Sequence, residues 1–166
     1  MRRAPRAPVA AALLVVTALL AACAAHPRRA AAPDGGATIA ALAVSLVGAP
    51  YQFGGADAAG FDCSGLVLYV HARAGIAVPR TASGQQHAAQ PVPLSALAPG
   101  DLVFFHIRSR TVDHVGIYVG GGRFVHAPRA GGAVAYGELG PSGYYRRRVS
   151  GAGRFWESFP ANASPR

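Results

Sequence analysis

The chain has 166 residues, of which 51% are hydrophobic, and its formal net charge of +9 comes from sixteen arginines and no lysine. The length predicts one domain of ordinary size with additional segments. The arginines are scattered apart from Arg146–Arg148, and no aromatic residues alternate with them as in a site for single-stranded nucleic acid. We therefore interpret the charge as a solvated basic face and expect no nucleic acid partner.

The N-terminal segment predicts export and lipid attachment. Residues 1–10 carry three arginines and no acidic residue, and residues 11–22 form an apolar run that is too short for a comfortable membrane span. Small residues end this run directly before Cys23, an order that resembles the lipobox of bacterial lipoproteins. The alternative is an ordinary cleaved signal followed by an incidental cysteine. We expect a lipoprotein signal peptide over 1–22 and a lipid anchor on Cys23.

The rest of the chain divides into a tether, one folded domain and a tail. Residues 23–37 are rich in alanine, proline and glycine without an apolar period, which is typical of a flexible tether. The folded domain is expected over 38–159, and residues 160–166 are expected to be disordered.

Within the domain, predicted helices precede predicted strands. Hydrophobic spacing and capping residues predict helices at 38–48, 63–75 and 80–89, with a glycine-rich loop over 49–62. Alternating segments between turn residues predict strands, at 101–106, 113–120, 123–127, 133–136 and 153–157. Helices followed by an antiparallel sheet indicate the α+β class.

Cys63 lies at the predicted start of the second helix, where Asp62 is a natural N-cap. The free N–H groups and positive dipole at a helix start favour the nucleophilic thiolate and predict a lowered thiol pKa. The charge of Asp62 opposes this effect, so a cationic neighbour, usually a histidine, is required. If Cys23 carries lipid, Cys63 has no disulfide partner, and an unpaired thiol in an exported protein indicates reactivity. Its backbone N–H is a candidate oxyanion donor.

Two of the six histidines, His114 and His126, lie on consecutive predicted strands. A three-residue loop at 120–122 would pair Val119 with Arg123 and place both rings on one sheet face, within mutual reach. A two-residue loop would place them on opposite faces. Gly116 would leave space beside the rings. On one face, the pair forms the pattern of a base oriented by a third group.

The other histidines fit a catalytic role less well. His26 lies in the tether, His71 lies two turns along the helix from Cys63, and His87 lies in a polar helix. A zinc site formed by Cys63 and the histidine pair is an alternative, but the sequence lacks the short ligand pairs, such as CxxC or HxxxH, that most such sites use. We expect no metal and no cofactor.

Five motifs in order resemble those of the NlpC superfamily of bacterial cell-wall cysteine peptidases: PYQFGG, GFDCSGL, LAPGDLVFF, DHVGIYVG and RFVHA. The resemblance covers residues 38–157. It implies a papain-like α+β fold, in which a helix carrying the nucleophile packs on a small antiparallel sheet, and hydrolysis of amide bonds in peptidoglycan stem peptides or crosslinks. It also implies that Cys63 is the nucleophile, His114 the general base and His126 the residue that orients His114.

The same resemblance implies the surroundings of the catalytic residues. Tyr51 would line the site and assist the oxyanion, Asp62 and Ser64 would flank the nucleophile, and Arg80 and Thr81 would lie near the cleft. The segment HIRSRTVDHV before the first strand histidine is more basic than the family pattern.

We therefore expect a monomeric, lipid-anchored murein endopeptidase whose partner is peptidoglycan. By resemblance to the sorting signals of envelope lipoproteins in Gram-negative bacteria, Ala24 instead of an aspartate after Cys23 implies an anchor at the outer membrane, facing the periplasm. One alternative is a papain-like amidase or acyltransferase that acts on another envelope substrate. Another is a catalytically inactive wall-binding lipoprotein, which the presence of all three catalytic residue types disfavours.

Overall fold

The computed structural model describes residues 35–129, 132–141 and 143–156. The predicted signal peptide, the anchor residue Cys23 and the predicted tail at 160–166 lie outside the described residues. Within these ranges, no helix is both long and apolar enough to span a lipid bilayer.

The described residues form three α-helices and eight strands, so the predicted α+β class is confirmed. The helices are α1 (Gly35–Ser45), α2 (Cys63–Arg73) and α3 (Ala82–Ala88). The strands are β1 (Ala56–Asp57), β2 (Gly60–Phe61), β3 (Gln90–Pro91), β4 (Leu102–Phe105), β5 (His114–Gly120), β6 (Arg123–His126), β7 (Ala135–Glu138) and β8 (Val149–Arg154).

The main sheet is antiparallel, with the strand order β3-β8-β4-β5-β6-β7. Strands β1 and β2 form a separate small hairpin inside the glycine-rich loop, which carried no strand signal in the sequence. The last two predicted strands are displaced: β7 begins at Ala135, two residues later than predicted, and β8 begins at Val149, four residues earlier.

Both faces of the sheet are covered, which explains why all four residues of β4 are buried. Helices α1 and α2 pack on one face, where Leu66 and Val70 join a core that includes Phe104 and Ile117. The opposite face carries a second apolar cluster of Val103, Phe105 and Phe124, against which Tyr145 packs. Alternate residues of one strand therefore serve two different cores.

The β5–β6 hairpin has the predicted strand register beside the histidines but differs from the prediction at its turn. Ile117 pairs with Val125, which is the predicted register, whereas Arg123 pairs with Gly120 and not with Val119. The turn has two residues, both at positive φ as a type I′ turn requires, and a β-bulge before it supplies one extra residue. The bulge compensates for the shorter turn, so the expectation that both histidines share a face is confirmed.

Two further expectations, the start of α1 and the space beside Gly116, are wrong because tertiary packing overrides the local sequence pattern. Helix α1 begins at Gly35 and not at Thr38, since the backbone at Gly36 packs directly against Pro99 and Trp156, which leaves no space for a side chain. Gly116 leaves room for the ring of Phe124 and not for the histidine rings.

Candidate active site

The first turn of α2 is fixed by Asp62. Its Oδ1 accepts a hydrogen bond from the backbone N–H of Gly65 at 2.7 Å, as an N-cap does, and its Oδ2 accepts one from Gly54 at 3.0 Å. Residue 65 must be glycine because a Cβ there would collide with the carbonyl oxygen of Gly55. The cap thus joins α2 to the loop before it and makes Cys63 the first helical residue, as predicted.

The cationic neighbour that the sequence required is Arg80, not a histidine. Its guanidinium donates two hydrogen bonds to the carboxylate of Asp62, at 2.7 and 3.0 Å, and one to the hydroxyl of Ser64 at 2.9 Å. Burial raises the pKa of Asp62, but the hydrogen bonds from Arg80, Gly65 and Gly54 outweigh it and hold that pKa below its usual value. The carboxylate is therefore ionised and its charge is matched beside the thiol.

The thiol of Cys63 is half-buried and unpaired. Burial raises its pKa above the usual value and the charge of Asp62 adds to the rise, while backbone N–H groups of Val115, Ser64 and Cys63 itself oppose it. The expected lowering by the helix start is thus present but is smaller than the cost of burying a thiolate. Cys63 needs a base to remove its proton.

His114 and His126 lie in direct contact. Nε2 of His114 and Nδ1 of His126 are 2.7 Å apart, and the ring planes are nearly perpendicular, at 82°. Burial lowers the pKa of His114 to about 4, against the charge of Asp113, and burial together with His114 lowers that of His126 to about 3. Both rings are neutral at pH 7, so one ring donates its proton to the other.

Aromatic rings enclose this histidine pair on the sheet face away from the helices. Tyr145 and Phe124 lie 5.2 and 5.0 Å from the ring centre of His126, and Phe105 lies 5.9 Å from that of His114. His126 is only 2% exposed. It therefore lies behind His114, which is the ring that reaches the open side.

Seven of the eight residues predicted to form the site line one cleft of about 800 Å³, and the eighth, His126, lies behind it. The seven are Tyr51, Asp62, Cys63, Ser64, Arg80, Thr81 and His114. Thr81 also has a structural role, since its Oγ1 accepts the N–H of Gly84 at 3.1 Å and caps α3.

His71 and His87 lie elsewhere, as expected. His71 is fully buried in the core, with Nδ1 2.9 Å from the carbonyl oxygen of Val67, and burial lowers its pKa to about 4. His87 is exposed on α3. In the described part of the chain, no three His, Cys, Asp or Glu side chains are grouped so that they could hold a metal ion.

Two features of the site had no signal in the sequence. Gln85 of α3 is fully buried, and its Nε2 donates to the carbonyl oxygens of Ser64 and Pro79 at 3.0 and 2.8 Å. It thereby ties the first turn of α2 to the segment that carries Arg80. Tyr144 and Tyr145 line the cleft from the segment before β8, where no periodic pattern marked them.

Comparison with known proteins assigns the region that contains this site to a protein family. The model of the NlpC/P60 family matches residues 48–154. The chain is 44% identical over 113 residues to the murein DD-endopeptidase MepH of Escherichia coli K12, covering 65% of this chain and 41% of MepH. It is 41% identical over 120 residues to the bifunctional muramidase/DL-endopeptidase CwlT of Bacillus subtilis 168, covering 70% of this chain and 36% of CwlT.

The solved structure of NlpC2 from Trichomonas vaginalis superposes with a TM-score of 0.70 at 33% identity, covering 77% of this chain and 50% of NlpC2. The papain-like arrangement expected from the sequence is confirmed by this similarity. The chain spans less than half the length of both curated relatives.

The ionisation of the pair predicts a pH profile. Because the pKa of Cys63 is raised and that of His114 is lowered to about 4, the resting pair is a neutral thiol and a neutral imidazole. The rate at which iodoacetamide alkylates Cys63, followed by mass spectrometry of its peptide, is expected to rise continuously from pH 5 to 9. A plateau across pH 5–8 would instead indicate a preformed thiolate–imidazolium pair.

Arg80→Gln extends this test. With the charge of Asp62 no longer matched, the thiol pKa rises further and alkylation at pH 7 slows by several-fold. Arg73→Gln, at the opposite end of α2 from Cys63, is the control and should alkylate at the wild-type rate. Equal rates for the two variants would contradict the electrostatic role of Arg80.

Proposed function

The chain belongs to the NlpC/P60 family, and on that premise we propose that it is a cysteine peptidase that hydrolyses amide bonds in peptidoglycan stem peptides or their crosslinks. The observation that carries the proposal is the cleft in which Cys63 and His114 lie together, with His126 hydrogen-bonded behind them. The names of MepH and CwlT, a murein DD-endopeptidase and a DL-endopeptidase, support this substrate class. The muramidase activity in the name of CwlT is not part of the proposal.

The first half of the mechanism follows from the tautomers of the histidine pair. When Nε2–H of His114 donates to Nδ1 of His126, Nδ1 of His114 has a free lone pair. This atom accepts the proton of Cys63 as the sulfur attacks the scissile carbonyl carbon. His126, which stays neutral because of its lowered pKa, continues to accept the Nε2–H hydrogen bond and stabilises the imidazolium.

The second half returns every group to its starting state. The backbone N–H of Cys63 and the hydroxyl of Tyr51 stabilise the oxyanion of the tetrahedral intermediate. His114 passes its proton to the leaving amine, the C–N bond breaks, and a thioester on Cys63 remains. Water then attacks the thioester while His114 removes one of its protons, His114 returns that proton to the departing sulfur of Cys63, and the carboxylic acid product loses its remaining proton to solvent.

Variants of the catalytic residues test the proposal. Cys63→Ala is expected to abolish release of soluble fragments from purified peptidoglycan with an unchanged circular dichroism spectrum. His126→Leu should lower kcat by about 10²-fold, because His114 loses the partner that fixes its tautomer. His87→Leu replaces an exposed histidine and should leave the rate unchanged.

Mass spectrometry of the products identifies the bond that is cut. New amino and carboxyl ends within stem peptides or crosslinks are the expected result. Undiminished digestion by Cys63→Ala would refute the proposed mechanism. Products cut at another kind of bond would indicate an amidase or acyltransferase, and no digestion by the wild-type protein would indicate an inactive wall-binding protein.

We further propose that a lipid on Cys23 holds the domain at the periplasmic face of the outer membrane. The apolar run before Cys23, the small residues that end it and Ala24 after it support this location. Cells fed labelled palmitate should incorporate label into the wild-type protein and into Cys63→Ser, but not into Cys23→Ser, and the wild-type protein should fractionate with outer membranes. Label that persists in Cys23→Ser, or a wild-type protein without label, would refute the anchor.

A further inference from the structure

The two walls of the cleft differ in whether their arginines form ion pairs within the protein. The helix wall contains Arg80, whose guanidinium is bound to Asp62. The sheet wall contains Arg108, from the loop between β4 and β5, and Arg129, from the segment after β6. These two arginines flank the histidine pair in the sequence, six residues before His114 and three after His126.

Neither arginine of the sheet wall has its charge matched by a described acid. Within the described residues, ion pairs join Arg80 to Asp62 and Arg154 to Asp101, and Arg108 and Arg129 take part in neither. Both are exposed. Their guanidinium groups are therefore available to a ligand in the cleft.

Asp113 also lines the cleft, but its carboxylate is hydrogen-bonded to backbone N–H groups. It accepts hydrogen bonds from the N–H groups of Ile107 at 2.6 Å and Arg108 at 2.7 Å. These bonds hold the loop in the conformation that presents Arg108 to the cleft. The acid thus positions this arginine and forms no ion pair with it.

The charges of both arginines reach Tyr51, which lines the same cleft as Cys63. Burial raises the pKa of Tyr51, and the charges of Cys63 and Asp62 add to the rise, whereas Arg129 and Arg108 oppose it. Tyr51 therefore lies within electrostatic range of the nucleophile and of both arginines. A substrate group bound between these arginines would lie near the scissile amide.

We propose that Arg108 and Arg129 form a carboxylate-binding wall that selects stem peptides with a free carboxylate close to the scissile amide over the same peptides bearing a carboxamide. Carboxyl groups that are not used in amide bonds are ionised at neutral pH. A guanidinium binds a carboxylate through two parallel hydrogen bonds, whereas a carboxamide has no charge and a single acceptor oxygen. The inference rests on the proposed function, because the preferred ligand is a substrate of that reaction.

A matched pair of substrates tests whether the wall selects a carboxylate over a carboxamide. One is a defined crosslinked muropeptide with its carboxyl groups free, and the other is the same molecule with those groups converted to carboxamides. The wild-type full-length protein is expected to cleave the carboxylate form with a kcat/KM about fivefold to tenfold higher. The preference should decrease as the salt concentration rises from about 0.05 to 0.5 M, since both arginines are exposed.

Substitutions show whether these two arginines carry the preference. Arg108→Gln and Arg129→Gln should each lower kcat/KM for the carboxylate form alone, and the double variant should cleave both forms equally. Arg110→Gln is the matched control, because Arg110 lies in the same loop but does not line the cleft. Equal cleavage of the two forms by the wild-type protein, or an unchanged preference in the double variant, would overturn the proposal while leaving the peptidase function intact.

A binding measurement separates this proposal from the catalytic one. In Cys63→Ala, titration calorimetry should show that the carboxylate form binds several-fold more tightly than the carboxamide form, and addition of the double Arg108→Gln/Arg129→Gln substitution should remove the difference. If the wild-type protein cleaves neither form but Cys63→Ala discriminates between them, the proposed function fails and the carboxylate wall stands. Equal affinities would overturn the wall.

Discussion

The carboxylate of Asp62 accepts hydrogen bonds from the backbone N–H groups of Gly65 and Gly54 and from the guanidinium of Arg80. A partly buried charge is stable only when its hydrogen bonds are made, and here every one of them fixes a different part of the cleft. The bond from Gly65 begins α2 at Cys63, the bond from Gly54 holds the loop that follows Tyr51, and the ion pair places Arg80 on the helix wall. The position of Cys63, the proposed nucleophile, thus depends on the side chain of Asp62.

On the sheet wall of the cleft, burial among aromatic rings holds the two histidines in place. His126 is enclosed by Tyr145 and Phe124, and this apolar setting keeps both histidine rings neutral. A neutral His114 with its Nε2–H donated to His126 can take a proton at Nδ1 only. The aromatic cluster therefore holds the rings in position, and in the proposed mechanism the tautomer of His114 sets the atom that takes the proton.

The sequence predicted those parts of the site that depend on local rules. Asp62 before an apolar helix indicated the N-cap, and strand alternation with a three-residue loop predicted one face for His114 and His126. It did not reveal the bulge that restores the hairpin register, since a turn of glycines is compatible with two lengths. The direction of the Cys63 pKa and the buried position of Gln85 depend on tertiary contacts, which no local pattern encodes. The sequence required a cationic neighbour near Cys63, and only the ion pair with Asp62 identifies that neighbour as Arg80.

The proposed catalysis and the proposed selection depend on different kinds of structure. The proposed nucleophile and base lie at the start of a helix and at the start of a central strand, whereas Arg108 and Arg129 lie on connecting segments. Connecting segments tolerate substitution better than the elements they join. Changes there would alter which stem peptides are preferred without disturbing proton transfer between Cys63 and His114.

Formation of a thioester on Cys63 is the central step of the proposed mechanism, and trapping that thioester tests it most directly. A stem-peptide ester acylates a thiol faster than the resulting thioester is hydrolysed, so an acid quench during turnover should capture the intermediate. Peptide mapping by mass spectrometry is expected to find the acyl group on Cys63 and to find none in Cys63→Ala. Continued turnover with no acyl group on Cys63, or an acyl group on another residue, would contradict the account.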